Sequence, residues 1–156
     1  MIGNAREETL SLRRASTADV TEIVNIERMC FSDPWSAKSF ADMLVHPAAI
    51  FLVASDSASS TPRGYVLAVS VAGEAEILNI AVPEANRGCG IGGRLLDAAI
   101  EEIRRRGAKL VFLEVRESNR AARELYRSRG FCDLFRRNAY YRNPVEDALV
   151  LSRAIE

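Results

Sequence analysis

A three-layer α/β domain on a mixed sheet is the fold class this chain predicts, and three observations predict it. Strand-length apolar runs and helical patterns follow one another in the order β-α-α-β-β-β-α-β-α-β-β. The run Ile77-Leu78-Asn79-Ile80-Ala81-Val82 passes through a glycine-rich turn into a helical pattern with Ile91, Leu95, Ala99 and Ile103 on one face. Leu110-Val111-Phe112-Leu113-Glu114-Val115 is apolar on both faces, as a central, buried strand is. Neither an internal repeat nor a linker divides residues 1–156, so one domain is expected.

The elements follow in order. Residues 9–14 read as a first strand. Residues 17–31 carry Val20, Ile23, Val24 and Ile26 at helical spacing, with Ser16 or Thr17 as N-cap. Pro34-Trp35 breaks that helix, and Ser36 caps a short second one to Leu44. Residues 50–54 form a strand, and the Ser-rich stretch 55–62 an exposed turn. Residues 64–72 and 74–82 make a hairpin around Gly73. The helix after the glycine turn runs to about Arg106 and stops at Gly107, with three arginines in its last turn, as the C-cap preference and the helix dipole require. Residues 119–129 form a helix stopped by Gly130, and residues 131–137 and 148–154 are the last strands.

Bulk composition narrows the function classes. The 48% apolar content supports a sizeable core. Twenty-one basic and 21 acidic residues cancel, which gives no general reason to expect nucleic acid or a membrane surface as partner. No apolar run is long enough to span a bilayer, and Asn4, Arg6, Glu7 and Glu8 leave no signal peptide to read. Cys30, Cys89 and Cys132 are an odd count without metal-type spacing, which fits a reduced cytoplasmic protein with no metal centre. His46, the single histidine, stands beside Pro47 in a loop and reads as a surface residue.

The turn Asn86-Arg87-Gly88-Cys89-Gly90-Ile91-Gly92-Gly93 is the most informative stretch. Glycines let backbone N–H groups approach a ligand, and a helix N-terminus adds unpaired donors and partial positive charge, so the pattern predicts a phosphate site. A Walker-type loop would end in Gly-Lys-Ser/Thr, and this one ends Gly92-Gly93-Arg94. Gly88-x-Gly90-x-x-Gly93 matches the dinucleotide fingerprint literally, with Glu114 about twenty residues on. A Rossmann glycine follows its strand directly, however, whereas Pro83 to Arg87 intervene here, and the chain is short for two mononucleotide halves. A glycine-rich turn with no ligand is the plain alternative.

Two side chains stand out as chemistry. Glu114 shares a strand face with Leu110 and Phe112. A carboxylate among apolar neighbours is costly unless paired or neutral, and desolvation moves a carboxyl towards the range where a general base works best. Its plain alternative is an ion pair with an arginine such as Arg116. Tyr126 lies one turn before Gly130 on a helix face with Ala122 and Arg129, where a core tyrosine with a tied hydroxyl is the plain reading. Asn119 is placed to cap that helix.

Arg87-x-x-Gly90-x-Gly92 resembles the Gln/Arg-x-x-Gly-x-Gly/Ala signature of the GNAT acetyltransferase superfamily. Further stretches resemble one subgroup, the bacterial ribosomal-protein-alanine N-acetyltransferases. They are Phe31-x-x-Pro34-Trp35-Ser36, Asn79-Ile80-Ala81-Val82, Leu113-Glu114-Val115-Arg116-x-Ser118-Asn119, Leu125-Tyr126, Gly130-Phe131, and Arg136-Arg137-Asn138-x-Tyr140-Tyr141 with Glu146-Asp147-Ala148. The resemblance runs from about Leu12 to Leu151.

It implies a mixed, mostly antiparallel seven-stranded sheet flanked by about four helices, with acetyl-CoA as cofactor and coenzyme A as product. Glu114 is then the general base and Tyr126 the general acid. Ile80, Ala81 and Val82 meet the pantetheine arm; Arg87, Gly88, Cys89, Gly90, Ile91, Gly92 and Gly93 meet the pyrophosphate; Asn119 also touches the cofactor. Arg87 stands where glutamine is common, and Gly93 replaces a frequent arginine, which weakens a phosphate contact. Trp35, Tyr140 and Tyr141 are candidates for holding the N-terminal peptide of a protein substrate, a ribosomal one by the subgroup; ordinary strand and core aromatics are their plain alternative. An acetyltransferase for lysine or a small amine, and a non-catalytic acyl-CoA-binding module, are the competing readings. The oligomeric state is not readable from the sequence.

Overall fold

The computed structural model describes residues 9–156, so the polar segment from Asn4 to Glu8 lies outside the described residues. Seven strands form one sheet: β1 (Leu10–Arg14), β2 (Ala49–Asp56), β3 (Pro62–Val71), β4 (Glu74–Ala81), β5 (Leu110–Arg116), β6 (Cys132–Tyr141) and β7 (Glu146–Ala154). Their order is β1-β2-β3-β4-β5-β7-β6. Of these seven only β4 and β5 run parallel, and the helix-containing connection between them supplies the crossover a parallel pair needs. The helices are α1 (Val20–Cys30), α2 (Ala37–Leu44), α3 (Ile91–Arg105) and α4 (Arg120–Ser128). None is long and apolar enough to cross a membrane.

Period-2 alternation in the strands splits the core in two. One face of the sheet buries Val66, Ala68, Ile77, Val111, Leu113 and Leu151 with the Leu95–Leu96–Ala99–Ile103 stripe of α3 and with Tyr126 and Phe131. The other face buries Phe51, Val53, Tyr65 and Leu67 under Ile23 and Ile26 of α1 and Phe40 of α2. The sheet is thus the middle of three layers.

The local signals act as the sequence implies. Ser36 accepts the Ser39 N–H (3.1 Å) to cap α2, and Asn119 accepts the Ala122 N–H (3.2 Å) to cap α4. Ser16 opens a single 3₁₀ turn that leads into α1, and Asp19 Oδ2 accepts the Ser16 N–H (2.8 Å). Ala72 and Gly73, with φ of 53° and 84°, make the two-residue turn between β3 and β4.

Two inter-strand connections are shorter than expected. Strands β2 and β3 extend into the Ser-rich stretch as far as Asp56 and Pro62, since a register shift at Ala54/Ser55 accommodates the extra residue and a proline is tolerated at a strand start. Strand β6 continues to Tyr141 and β7 begins at Glu146. The register slips between Arg137 and Tyr141, and Asp147 takes over part of the ladder by accepting from the Ala139 N–H (2.8 Å) and the Arg136 guanidinium (3.1 Å).

Candidate active site

The sheet opens at its centre. Parallel rungs join β4 to β5 only from Glu74↔Leu110 to Ile77↔Leu113; beyond them, β4 pairs with β3 alone and β5 with β7 alone. The cause is local. On the β3 side the register jumps from Leu67↔Asn79 to Ala68↔Ile77, leaving Leu78 as an extra residue, and a bulge increases twist and bends the strand. The backbone groups that Leu78, Asn79, Ile80 and Ala81 turn towards β5 therefore have no ladder partner. Ile80 and Ala81, predicted as cofactor contacts, line this gap, and Val82 stands at its end.

The glycine turn lies just beyond. Gly88 and Gly90 have φ of 83° and 77°, a region other residues enter only with strain, and Gly90 is the N-cap of α3. A Cβ added at either glycine would meet nothing within 4 Å. Among the described residues, the six amides of residues 88–93 donate to no protein acceptor; the first inward bond is Arg94 N–H to the Gly90 carbonyl (3.0 Å). Free donors, open space and a helix N-terminus fit a diphosphate. The Arg87 side chain turns back to the Val82 carbonyl (2.8 Å) and ties the turn to the end of β4. Cys89 is an exposed free thiol.

Glu114 and Tyr126 lie on opposite faces of the sheet, Glu114 one residue past the last β4–β5 rung. Val111, Leu113 and Val115 point into the α3 core, so Glu114 projects from the other face, half-buried. Tyr126 is buried on the α3–α4 side, its ring set against Phe131 (5.9 Å between centroids). Its hydroxyl makes no hydrogen bond with a described residue, so the expected tying-off of a core tyrosine does not occur. Burial, and to a lesser degree the nearby Tyr141, push its phenol well above the usual range. Tyr141 stands beside both groups: burial first, then Glu114, raise its phenol to about 12. Tyr140 is half-exposed; its phenol is raised chiefly by its hydrogen bond to Glu114.

Glu114 has an arginine partner, and it is not Arg116. Arg137 Nε lies 2.9 Å from Glu114 Oε1, brought from β6 across β7. Arg116 instead stacks on the Tyr141 ring (4.3 Å) and donates to the carbonyls of Arg142 (2.9 Å) and Pro144 (3.1 Å). It also reaches Ser32 Oγ (3.4 Å), so the loop from α1 to α2 borders the site.

Trp35, on that loop, is drawn to the core. Its ring packs on Phe40 (5.5 Å) and its backbone N–H donates to Glu27 Oε1 (3.2 Å). Glu27 is 1% exposed. It also accepts from the Tyr65 hydroxyl and from Asn79 Nδ2 (3.0 Å), joining loop, β3 and the opening strand β4. Burial pushes this carboxyl up, against those three hydrogen bonds. The network spans residues 38 and 52 apart in sequence, and no local pattern announces it.

Other neighbours were equally unannounced. A Cβ on Gly93 would lie 2.3 Å from Arg129 Nη2, so a guanidinium from the end of α4 covers the position where the sequence comparison expects an arginine. Arg129 is held there by Asp97 (3.2 Å) and Ser128 (2.9 Å). Glu76 lies on the Glu114 side of the sheet, opposite Phe112.

Comparison with known proteins agrees with this geometry. Residues 20–131 match the acetyltransferase (GNAT) family. The ribosomal protein bS18-alanine N-acetyltransferase of Escherichia coli is 33% identical over 141 residues, covering 89% of this chain and 93% of that one. That of Haemophilus influenzae is 30% identical over 144 residues, covering 90% and 96%. The crystal structure of the ribosomal-protein-S18-alanine N-acetyltransferase from Escherichia coli superposes with a TM-score of 0.86 at 30% identity, covering 95% of each chain. Ard1 from Thermoplasma volcanium shares the fold at 24% identity (TM-score 0.86). With its parted parallel strands, its open glycine turn and these relatives, the chain belongs to the GNAT acetyltransferase family, the acyltransferases that draw on acetyl-CoA.

Proposed function

We propose that this chain acetylates the N-terminal α-amine of a protein, the N-terminal alanine of a small-subunit ribosomal protein, by direct attack within a ternary complex. The observation that carries the reading is the placement of Glu114 just past the last β4–β5 rung, on the face of the sheet opposite to Tyr126. An amine reaches the gap past Glu114, and a leaving group departs on the Tyr126 side. The two relatives named for bS18-alanine N-acetylation, similar over nearly their whole length, support the same substrate class.

Acetyl-CoA supplies the acetyl group as a thioester. The amides of residues 88–93 hold its diphosphate, and the unpaired backbone of Ile80, Ala81 and Val82 aligns its amide-bearing arm, with Asn119 at the start of α4 facing the same groove. Backbone N–H groups near Val82 stabilise charge on the carbonyl oxygen. Glu114 takes the amine proton, directly or through one water. Tyr126 keeps its own proton at neutral pH because burial disfavours the phenolate, and gives it to the departing sulfur. Tyr140 and Tyr141 wall the entry for the first peptide residues.

The amine class follows from proton affinity. An α-amine titrates near 8 and a lysine near 10.4, so one carboxylate produces the neutral α-amine far more easily. The test is acetyl-CoA-dependent thiol release with two peptides. One has a free N-terminal alanine and no lysine; the other has a blocked N-terminus and an internal lysine. Turnover on the first alone is expected. Turnover on the second alone moves the enzyme to the lysine class, and silence on both with coenzyme A bound favours a small amine or a binding module.

A further inference from the structure

We infer that Arg129, at the end of α4, binds a phosphate of coenzyme A through its Nη2 and so supplies, from a second helix, the cation missing at Gly93. The inference rests on the placement of the diphosphate at residues 88–93 and is independent of which amine receives the acetyl group.

Gly93 lies in the first turn of α3 and is buried, and it lacks the positive φ of Gly88 and Gly90. Conformation therefore does not ask for glycine there, and glycine inside a helix is destabilising relative to alanine. Space asks for it. A Cβ at Gly93 would collide with Arg129 Nη2, whereas one at the neighbouring Gly92 would make ordinary contact with Leu125 (3.4 Å). The missing side chain is what lets the guanidinium reach the start of α3.

Two bonds fix the guanidinium in that place. Nε donates to Asp97 Oδ1 (3.2 Å) and Nη1 to Ser128 Oγ (2.9 Å). Asp97 follows Gly93 by one turn of α3, and helical side chains lean towards the N-terminus, so this carboxylate draws the guanidinium towards the glycine turn. Nη2, the nitrogen over Gly93, donates to no acceptor among the described residues.

The charges around it say what the free edge is for. A cation at Arg129 suits the C-terminus of its own helix, α4. It is opposed by the start of α3, where the amides of residues 88–93 stand free and the dipole is positive. Asp97 is the carboxylate that meets this convergence of positive charge, and its side chain is 58% exposed. An anion between Nη2 and the amides relieves the opposition, and a planar guanidinium suits phosphate oxygens. The arginines of the turn itself are drawn elsewhere, Arg87 to the Val82 carbonyl (2.8 Å) and Arg94 to the Leu10 carbonyl (3.4 Å).

Calorimetric titration with coenzyme A tests the assignment, with denaturant unfolding to confirm that each variant is folded. Arg129→Gln is expected to weaken binding by about 10–100-fold, the range that one charge-assisted hydrogen bond spans. A pair that only braced α3 against α4 would give Asp97→Asn the same loss. On the inference Asp97→Asn binds at least as tightly as wild type, because its amide oxygen still accepts from Nε and the charge competing with phosphate is gone. Unchanged affinity in Arg129→Gln, or equal losses in Arg129→Gln and Asp97→Asn, overturns the inference. Dephospho-coenzyme A, which lacks the phosphate on the ribose, locates the contact. A loss in Arg129→Gln that persists with it supports a contact to the diphosphate, and a loss that disappears supports a contact to the ribose phosphate. Gly90→Ala separates the inference from the reading beneath it. Weaker binding there without a loss in Arg129→Gln removes Arg129 alone, and unchanged affinity there overturns turn and inference together.

Discussion

A carboxylate, a phenol and a guanidinium set the chemistry at the residue scale. On the proposed mechanism Glu114 is the base, yet the structure pairs it with Arg137, so it would be available only when that pair is exchanged or bridged by water. Replacing Glu114 with Gln is expected to lower kcat by about 10²–10³-fold, with the deficit shrinking at high pH, where the amine loses its proton unaided. Tyr126 offers a cleaner separation of roles. Its hydroxyl has no described hydrogen-bond partner, so Tyr126→Phe is expected to leave stability within about 0.5 kcal/mol while kcat falls at least about tenfold. Denaturant unfolding and steady-state kinetics read the two quantities, and an unchanged kcat would remove Tyr126 as the acid. Alternation along one strand was enough to single out Glu114 and its face. Its partner was not readable, because Arg137 arrives across an intervening strand, from a segment whose register slip scrambles side-chain parity.

Glycines decide the geometry at the scale of elements. Gly90 caps α3 with a left-handed backbone and leaves open space in front of six free amides. Gly107 ends the same helix with nearly the same φ, 81°, and equally open surroundings, but far from the gap. Each Gly→Ala replacement is expected to cost about 1–2 kcal/mol through backbone strain. Only Gly90→Ala should also weaken coenzyme A binding, because its new methyl enters the open space proposed for the diphosphate. Thermal unfolding with calorimetric titration checks both, and equal affinity in the two variants would dissociate the turn from the cofactor. These elements were legible from sequence because caps, breakers and helical spacing are local. The extension of β6 to Tyr141 was not, since the Asp147 side chain supports it from the opposite strand. Nor was the inward pull on Trp35, which depends on Glu27, Tyr65 and Asn79 meeting across three elements.

Opposed proton linkages shape the stability of the whole molecule. Asp19 is almost fully buried, and the Arg13 guanidinium holds its carboxyl below the usual range, with hydrogen bonds of 2.7 and 2.8 Å. The native state therefore releases this proton more readily than the unfolded chain. The resulting stability is present above about pH 4 and is lost as pH falls through the lower, folded value. Glu27 has the opposite sign: its raised carboxyl favours the native state at low pH and loses that contribution as pH rises. Asp19→Asn is expected to narrow the stability difference between pH 6 and pH 3, measured by denaturant titration at each. An undiminished difference would assign acid sensitivity to other carboxylates. The fold class and the number of strands were readable from the order of elements, whereas the restriction of parallel pairing to β4 and β5 was not. The two-core division followed from alternation, but the bulge at Leu78 that opens the sheet needed the paired strand to become visible.

That missing half-ladder makes the sheet an unfinished structure. A ligand with amides of its own can serve as a short extra strand, so on the proposed binding mode the bonds that hold the acetyl donor are bonds the fold would otherwise lack. Resistance to unfolding then rises with donor concentration, by about 2.7 kcal/mol at a hundredfold excess over Kd. Free coenzyme A carries the same amides, so protection against proteolysis is expected to follow donor and product together and not the acetyl group itself.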